Sequence, residues 1–221
     1  MKALLLAAGQ GKRMQPLSLI TPKPLLFIGK YRLIEHHLIN LAKAGFTEVL
    51  INLHYRSQDF AKILGNGENY NLNITYIYEP NPGLEAGGTI INAKQFLGNN
   101  PFLMISSDIF TNYDFAKLKN MNPHTAHLVL INNGKQVFNF IDGKITNKGN
   151  LDYANIGVFN PTAFDNWPEN CKITLSTLIT HQLKNNQTIN AEIIGKTTVW
   201  HNVSTPQQLA NLNAKYQTAT G

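Results

Sequence analysis

Cysteine is almost missing from this chain: Cys171 stands alone among 221 residues. A single thiol excludes an internal disulfide framework and leaves no partner for a zinc motif, so Cys171 reads as a structural thiol. Long apolar runs are missing as well. The run after Lys2 is too short for a membrane span and has no secretory cleavage pattern, and no other stretch approaches a spanning length. A cytoplasmic location with no membrane partner is therefore expected. Charge is sparse, at 14%. The 19 Lys and Arg exceed the 13 Asp and Glu, but they are scattered rather than gathered in a basic helix or tail. Nucleic acid is accordingly not an expected partner, and a substrate carrying several phosphates explains a modest positive excess equally well. Linkers, low-complexity tracts and internal repeats are absent too. With 43% apolar residues, a chain of this length suits one globular domain, 1–221, and is short for two. Nothing in it suggests an assembly module, which makes a monomer the default.

What is present is an alternation. Apolar runs at Lys2–Ala8, Glu48–Leu53, Ile74–Tyr78, Phe102–Ser106 and Ala126–Ile131 read as strands. Between them lie helical patterns at Leu33–Ala44, Ser57–Leu64, Gly88–Phe96 and Tyr113–Met121. Strands alternating with helices predict an α/β protein with a mainly parallel sheet, whose ligands sit at the carboxyl ends of the strands. Further on, Asp142-Gly143 between Gln136–Ile141 and Lys144–Thr146 marks a hairpin. Ala154–Phe159 and Thr188–Ile194 read as strands, and Ile173–Lys184 and Thr205–Tyr216 as helices.

The most informative segment follows the first strand: Gly9-Gln10-Gly11-Lys12-Arg13-Met14-Gln15-Pro16-Leu17-Ser18, then Pro22-Lys23-Pro24. The two glycines permit close backbone approach to a ligand. Arg13 offers a forked cation for phosphate oxygens and Lys23 a point charge. The flanking prolines stiffen the backbone around Lys23. A dinucleotide fingerprint fits poorly, because Met14 occupies the third glycine position. A Walker-type phosphate loop also fails on spacing. On residue chemistry alone an ordinary glycine- and proline-rich loop stays open beside a triphosphate cradle.

In order and spacing, the run resembles the signature of sugar-1-phosphate nucleotidyltransferases, Gly-x-Gly-x-Arg-Met-x-Pro-Leu-(Ser/Thr) followed by Pro-Lys-Pro. Within that family, the length, Leu84-Glu85-Ala86-Gly87-Gly88 and Tyr113-Asp114-Phe115 look most like the short bacterial enzymes that uridylylate N-acetylmuramate 1-phosphate. The resemblance runs from residue 1 to about 130, weakens, and returns near Trp200. It implies a three-layer, Rossmann-like nucleotidyltransferase (GT-A-like) fold, with a nucleotide-binding half at about 1–110 and a sugar-binding half at about 111–221. It also implies coupling of a nucleoside triphosphate, UTP by subgroup, to a sugar 1-phosphate with magnesium as cofactor, releasing pyrophosphate.

By the same resemblance, Arg13 and Lys23 are the expected catalytic cations, Arg13 on the β and γ phosphates and Lys23 toward the α-phosphate. Leu6, Ala7, Ala8, Gly9 and Gly11 are expected around the nucleotide, together with Glu79, Leu84, Glu85, Gly87 and Gly88. Gly87 and Gly88 would let the base approach closely. Asp108, at the end of an apolar strand, matches the family's metal ligand, although Ser107 replaces the usual glycine. Relatives carry Trp-x-Asp-x-Gly-Thr before the last helix, whereas this chain reads Trp200-His201-Asn202-Val203-Ser204-Thr205. Asn202 therefore stands where a second metal carboxylate belongs. An amide oxygen still coordinates magnesium but brings no charge. That departure leaves a second reading, a catalytically weakened nucleotide-sugar binding protein. Asn155 and Lys172 are the candidates for sugar-phosphate contact.

Overall fold

The computed structural model describes residues 1–217 apart from Gln136 and Lys148. Its centre is a nine-stranded sheet in the order β5-β4-β1-β6-β11-β8-β12-β10-β9. The strands of this sheet are β1 (Ala3–Leu6), β4 (Glu48–Leu53), β5 (Asn73–Tyr78), β6 (Phe102–Ser106), β8 (Ala126–Ile131), β9 (Phe138–Ile141), β10 (Lys144–Asn147), β11 (Asp152–Phe159) and β12 (Ile189–Ile193). Parallel pairing joins β5, β4, β1 and β6, and also β8 with β12. β11 lies antiparallel between β6 and β8, so those two neighbours again run the same way. Two short antiparallel pairs stand apart: the hairpin of β2 (Phe27–Ile28) with β3 (Tyr31–Arg32), and the long-range pair of β7 (Ile109–Thr111) with β13 (Trp200–Asn202).

Period-two burial explains the layering. Ala3 and Leu5, Val49 and Ile51, and Leu103 and Ile105 face one side, where they pack on α2 (Leu33–Lys43) and α3 (Gln58–Leu64). Leu4, Leu50, Phe102 and Met104 face the other side, against α4 (Glu85–Leu97) and α5 (Leu175–Lys184). Strands buried on both faces read as continuous apolar runs, which is the pattern of these segments. A smaller cluster joins Met14, Ile28, Leu33, Phe110 and Val203 to Leu209 and Leu212 of the closing helix α6 (Pro206–Gln217). It anchors the glycine-rich loop through Met14, the buried side chain of its Lys12–Met14 turn. Among the described residues no helix is long and apolar enough to cross a membrane.

The expected fold class holds, and the differences lie in short elements. Tyr113–Met121 forms only a 3-10 turn, Phe115–Leu118, because Asp114 caps it through Ala116 and Tyr113 is tied to Glu192 on β12. The hairpin turn sits at Asp142-Gly143, both at positive φ (49° and 77°) as a two-residue turn requires. Gln136, the first residue of the strand expected there, lies outside the described residues. A four-residue helix, α1 (Leu17–Ile20), the β2–β3 hairpin and the β7–β13 pair were not expected.

Candidate active site

The carboxyl ends of β1, β4, β6 and β8 lie at one edge of the sheet, together with the amino end of the reversed strand β11. Two clefts open there. The first, about 500 Å³, is lined by Leu6, Ala7, Ala8 and Gly9 from the end of β1, and by Lys12, Lys23, Glu79, Glu85 and Lys172 among others. The second, about 660 Å³, is bounded by Arg13, Asn155, Trp200 and Asn202, with an apolar wall that includes Met104, Leu128 and Phe138. Leu6, Ala86, Ser106 and Asp108 line both.

Asp108 sits on that common wall. Its Oδ2 accepts the Lys23 ammonium at 2.7 Å and its Oδ1 accepts the Ser106 hydroxyl at 2.7 Å. Burial pushes this carboxyl up, but the Lys23 charge and the bonds from Lys23 and Ser106 outweigh burial and hold it below the usual carboxylate range. The Lys23 and Asp108 side chains are 12% and 24% exposed, so the pair is screened far less than a surface ion pair. Lys23 owes its place partly to Gly11. That residue has φ +61°, and a Cβ on it would lie 3.2 Å from the Lys23 Cβ. The Ser18 hydroxyl donates to the Gly11 carbonyl at 2.8 Å and closes the turn. Gly11 thus supports the cation from behind and does not line either cleft. Arg13 is exposed and lines the second cleft, not the first.

Beneath the first cleft lies a polar network that sequence reasoning missed. Asn52, 2% exposed on β4, accepts the Ala7 N–H at 2.7 Å and donates to Glu79 Oε1 at 2.6 Å. Glu79 Oε1 also accepts the Thr89 hydroxyl, while Oε2 accepts the Leu84 N–H at 3.0 Å. Glu79 is therefore a positioning group that ties β4, the end of β1 and the start of α4 together. A lone Asn within an apolar strand was the available signal, since a buried amide must find partners.

The structure separates the expected Leu84–Gly88 group. Glu85 lines the first cleft at φ +64°, a strained backbone for this residue type. Leu84, Gly87 and Gly88 are buried and are not on the cleft walls. A Cβ at Gly88 would lie 2.1 Å from the Cys171 carbonyl oxygen, and one at Gly87 would lie 2.7 Å from those of Ile173 and Thr174. These glycines let α4 press against the 171–174 backbone, reinforced by a Gly88 N–H to Ile173 O bond of 3.1 Å. Close approach is required of them, but by backbone.

Asn155 lines the second cleft at φ +60°, in the bulge where β11 changes register against β8. Bulges re-aim side chains beside functional sites. Lys172 lines the first cleft, the side away from the apolar wall. Asn202 reaches the second cleft because β13 pairs with β7, placing Asn202 opposite Ile109, next to Asp108. The Val203 N–H to Asp108 O bond, 2.9 Å, fixes the two strands together. The Asn202 side-chain oxygen accepts the Ser204 hydroxyl at 2.6 Å. Asp108 and Asn202 both line the second cleft and offer carboxylate and amide oxygens, the ligand types a hard cation takes, each now bonded within the protein. Among the described residues no group of three or more His, Cys, Asp or Glu could hold a metal unaided.

Residues 2–137 match the nucleotidyl transferase family. The chain is 34% identical to the N-acetylmuramate alpha-1-phosphate uridylyltransferase of Neisseria meningitidis serogroup B, over 97% of each chain. It is 38% identical to the mannose-1-phosphate guanyltransferase of Schizosaccharomyces pombe over 58% of its own length and 35% of that protein's. Among solved structures, a Bacillus anthracis chain assigned as a glucose-1-phosphate thymidylyltransferase superposes with a TM-score of 0.84 at 21% identity, covering 98% of this chain and 95% of that one. The inositol-1-phosphate CTP transferase from T. maritima superposes with a TM-score of 0.79 at 14% identity, covering 100% and 97%. These two likenesses establish the fold. The chain belongs to the nucleotidyl transferase family, among the sugar-1-phosphate nucleotidyltransferases.

Proposed function

We propose that this chain transfers the uridylyl group of UTP to N-acetylmuramate 1-phosphate, releasing pyrophosphate, with magnesium as cofactor. One observation carries the proposal: Lys23 and Asp108 stand where the two clefts meet, one lined with lysines and the other with an apolar wall. The choice of base and sugar is supported by likeness to the Neisseria enzyme along nearly the whole of both chains, whereas the guanyltransferase match covers a part only.

In this reaction an oxygen of the sugar's 1-phosphate forms a bond to the α-phosphorus of UTP. The bond from that phosphorus to the bridging oxygen breaks, and its electrons leave with pyrophosphate. The nucleophile has a second pKa near 6, so it is largely dianionic at neutral pH and no side chain has to take its proton. Catalysis then consists of in-line positioning and charge neutralisation. Lys23, steadied by Asp108, neutralises charge at the α-phosphate. Arg13 binds phosphate oxygens from the second-cleft side, and Lys12 and Lys172 add positive charge along the first cleft. Asp108, with Asn202 as a neutral second ligand, would hold magnesium, which supplies further neutralisation of the phosphates.

Pyrophosphate release from each nucleoside triphosphate, with a panel of sugar 1-phosphates at graded magnesium, tests the proposal. UTP with N-acetylmuramate 1-phosphate should be the fastest pair, and a faster pair overturns it. Intact nucleotide binding without turnover on any pair would support the second reading, a binding protein, which Asn202 favours. Asn202→Asp should lower the magnesium needed for half-maximal rate; an unchanged dependence removes Asn202 from the metal site.

A further inference from the structure

We infer that the second cleft has an anion-receiving end, centred on Lys135, that selects sugar 1-phosphates carrying a carboxylate on an arm remote from the phosphate. This rests on the uridylyl-transfer reading above and identifies which part of the sugar that cleft reads.

Among the described residues lining the second cleft, the cations are Arg13 and Lys135 and the acids are Asp108 and Asp152. Asp108 marks the end shared with the nucleotide cleft. Lys135 follows β8, which lies two strands beyond β6, about 10 Å along the sheet at ordinary strand spacing. A sugar whose phosphate sits at Asp108 therefore extends toward Lys135.

The Lys135 end is organised for a second anion. Asp152 is the anchor: its Oδ2 pairs with the Lys135 ammonium across 3.2 Å and accepts the Asn133 amide at 2.9 Å, and its Oδ1 accepts the Tyr153 N–H at 2.9 Å. The Asn133 side-chain oxygen in turn accepts the Lys135 N–H at 3.1 Å, so both backbone and side chain of Lys135 are located. Asp152 is 16% exposed and fully engaged, whereas the Lys135 side chain is 67% exposed. An ammonium has three N–H donors, and pairing with one carboxylate leaves donors for a second anion in the cleft. Between the two ends the wall carries Met104, Leu128, Val137 and Phe138, with Asn155 on the intervening strand β11 as a polar group among them. Against the apolar members a hydroxyl group would lose hydrogen bonds, while a methyl-bearing acyl or ether arm would not. A lactyl ether presents both a methyl group and a carboxylate.

The test compares kcat/KM for N-acetylmuramate 1-phosphate and N-acetylglucosamine 1-phosphate, which differ by the lactyl ether, using UTP, magnesium and the full chain. Wild type should prefer the acid sugar. Lys135→Met should lower the preference ratio roughly tenfold, chiefly through KM for the acid sugar, and Lys135→Arg should retain most of it. A wild-type preference that survives Lys135→Met within twofold overturns the inference and leaves the uridylyl-transfer reading intact. A wild type that prefers the neutral sugar sinks that reading and the inference with it. Where turnover is too slow, the ratio of calorimetric affinities for the two sugar phosphates decides in the same way.

Discussion

Replacing Asn52 with leucine asks whether one buried amide organises the nucleotide cleft. The two side chains are of similar size, so the effect is polar rather than a cavity. Ala7, itself 4% exposed, loses the acceptor for its N–H, which costs about 1–3 kcal/mol. Glu79 loses its 2.6 Å donor, a bond to a charged acceptor, but keeps Thr89 and the Leu84 N–H, so part of that loss is recovered. The sum is roughly 3 kcal/mol. For a chain of this size a urea slope of about 2–3 kcal/mol/M turns that into a midpoint lower by about 1–1.5 M. Ala7 and Glu79 both line the first cleft, so UTP affinity should fall roughly tenfold as their positions loosen. Asn52→Asp adds a pH signature, because it sets a second carboxylate against Glu79 Oε1. Like charges at that distance raise one native-state pKa above its unfolded value. The resulting penalty is full at neutral pH and shrinks as pH falls through the raised value toward about 4. The deficit of the Asp variant relative to wild type should therefore narrow on acidification, while that of the Leu variant stays level. A Leu variant whose midpoint lies within about 0.3 M of wild type, with unchanged UTP affinity, would show that Asn52 only fills space.

Lys23→Ala should lower kcat about 100-fold, on the order of 3 kcal/mol of transition-state stabilisation, while changing the UTP dissociation constant less than about fivefold; equal damage to both would make Lys23 a binding residue only. Gly88→Ala places a methyl group 2.1 Å from the Cys171 carbonyl oxygen, a backbone atom, and should cost on the order of 1–3 kcal/mol in thermal or urea unfolding. An unshifted midpoint would show that α4 moves freely away from the 171–174 segment.

Long apolar strands were legible because burial on both faces leaves a continuous pattern. Glu48–Leu53, Phe102–Ser106 and Ala126–Ile131 match their strands end to end. Two- and three-residue strands carry no period, which is why β2–β3 and β7–β13 escaped, although Gly29-Lys30 between Ile28 and Tyr31 was a usable turn signal. Tyr113–Met121 shows the opposite error: its apolar spacing suits a helix, but a tertiary tie at Tyr113 and a local cap at Asp114 leave one turn. At the site, the residue types needed for phosphate chemistry were visible as a motif, yet their neighbours were not. Nothing in the sequence distinguishes a glycine that admits a ligand from Gly88, which admits another strand of backbone, or a loop glutamate in solvent from Glu79, held by three donors.

Charge balance at the junction of the clefts gives Asn202 a physical rationale. One carboxylate, Asp108, faces one ammonium, Lys23, and the pair is neutral without further ions. A second carboxylate at position 202 would leave a surplus negative charge at this ion pair, offset in part only by Arg13 on the same cleft. Asn202, bonded by the Ser204 hydroxyl, avoids that surplus. With a single carboxylate, already bonded by Lys23 and Ser106, the protein's own hold on a divalent ion would be weak, and phosphate oxygens would have to complete its ligand set. Metal and nucleotide affinities are then thermodynamically linked, each raising the other by the same factor. A divalent ion in such a site would gain most from arriving with its triphosphate, while Lys23, held at 2.7 Å by Asp108, stays the resident cation beside the phosphates.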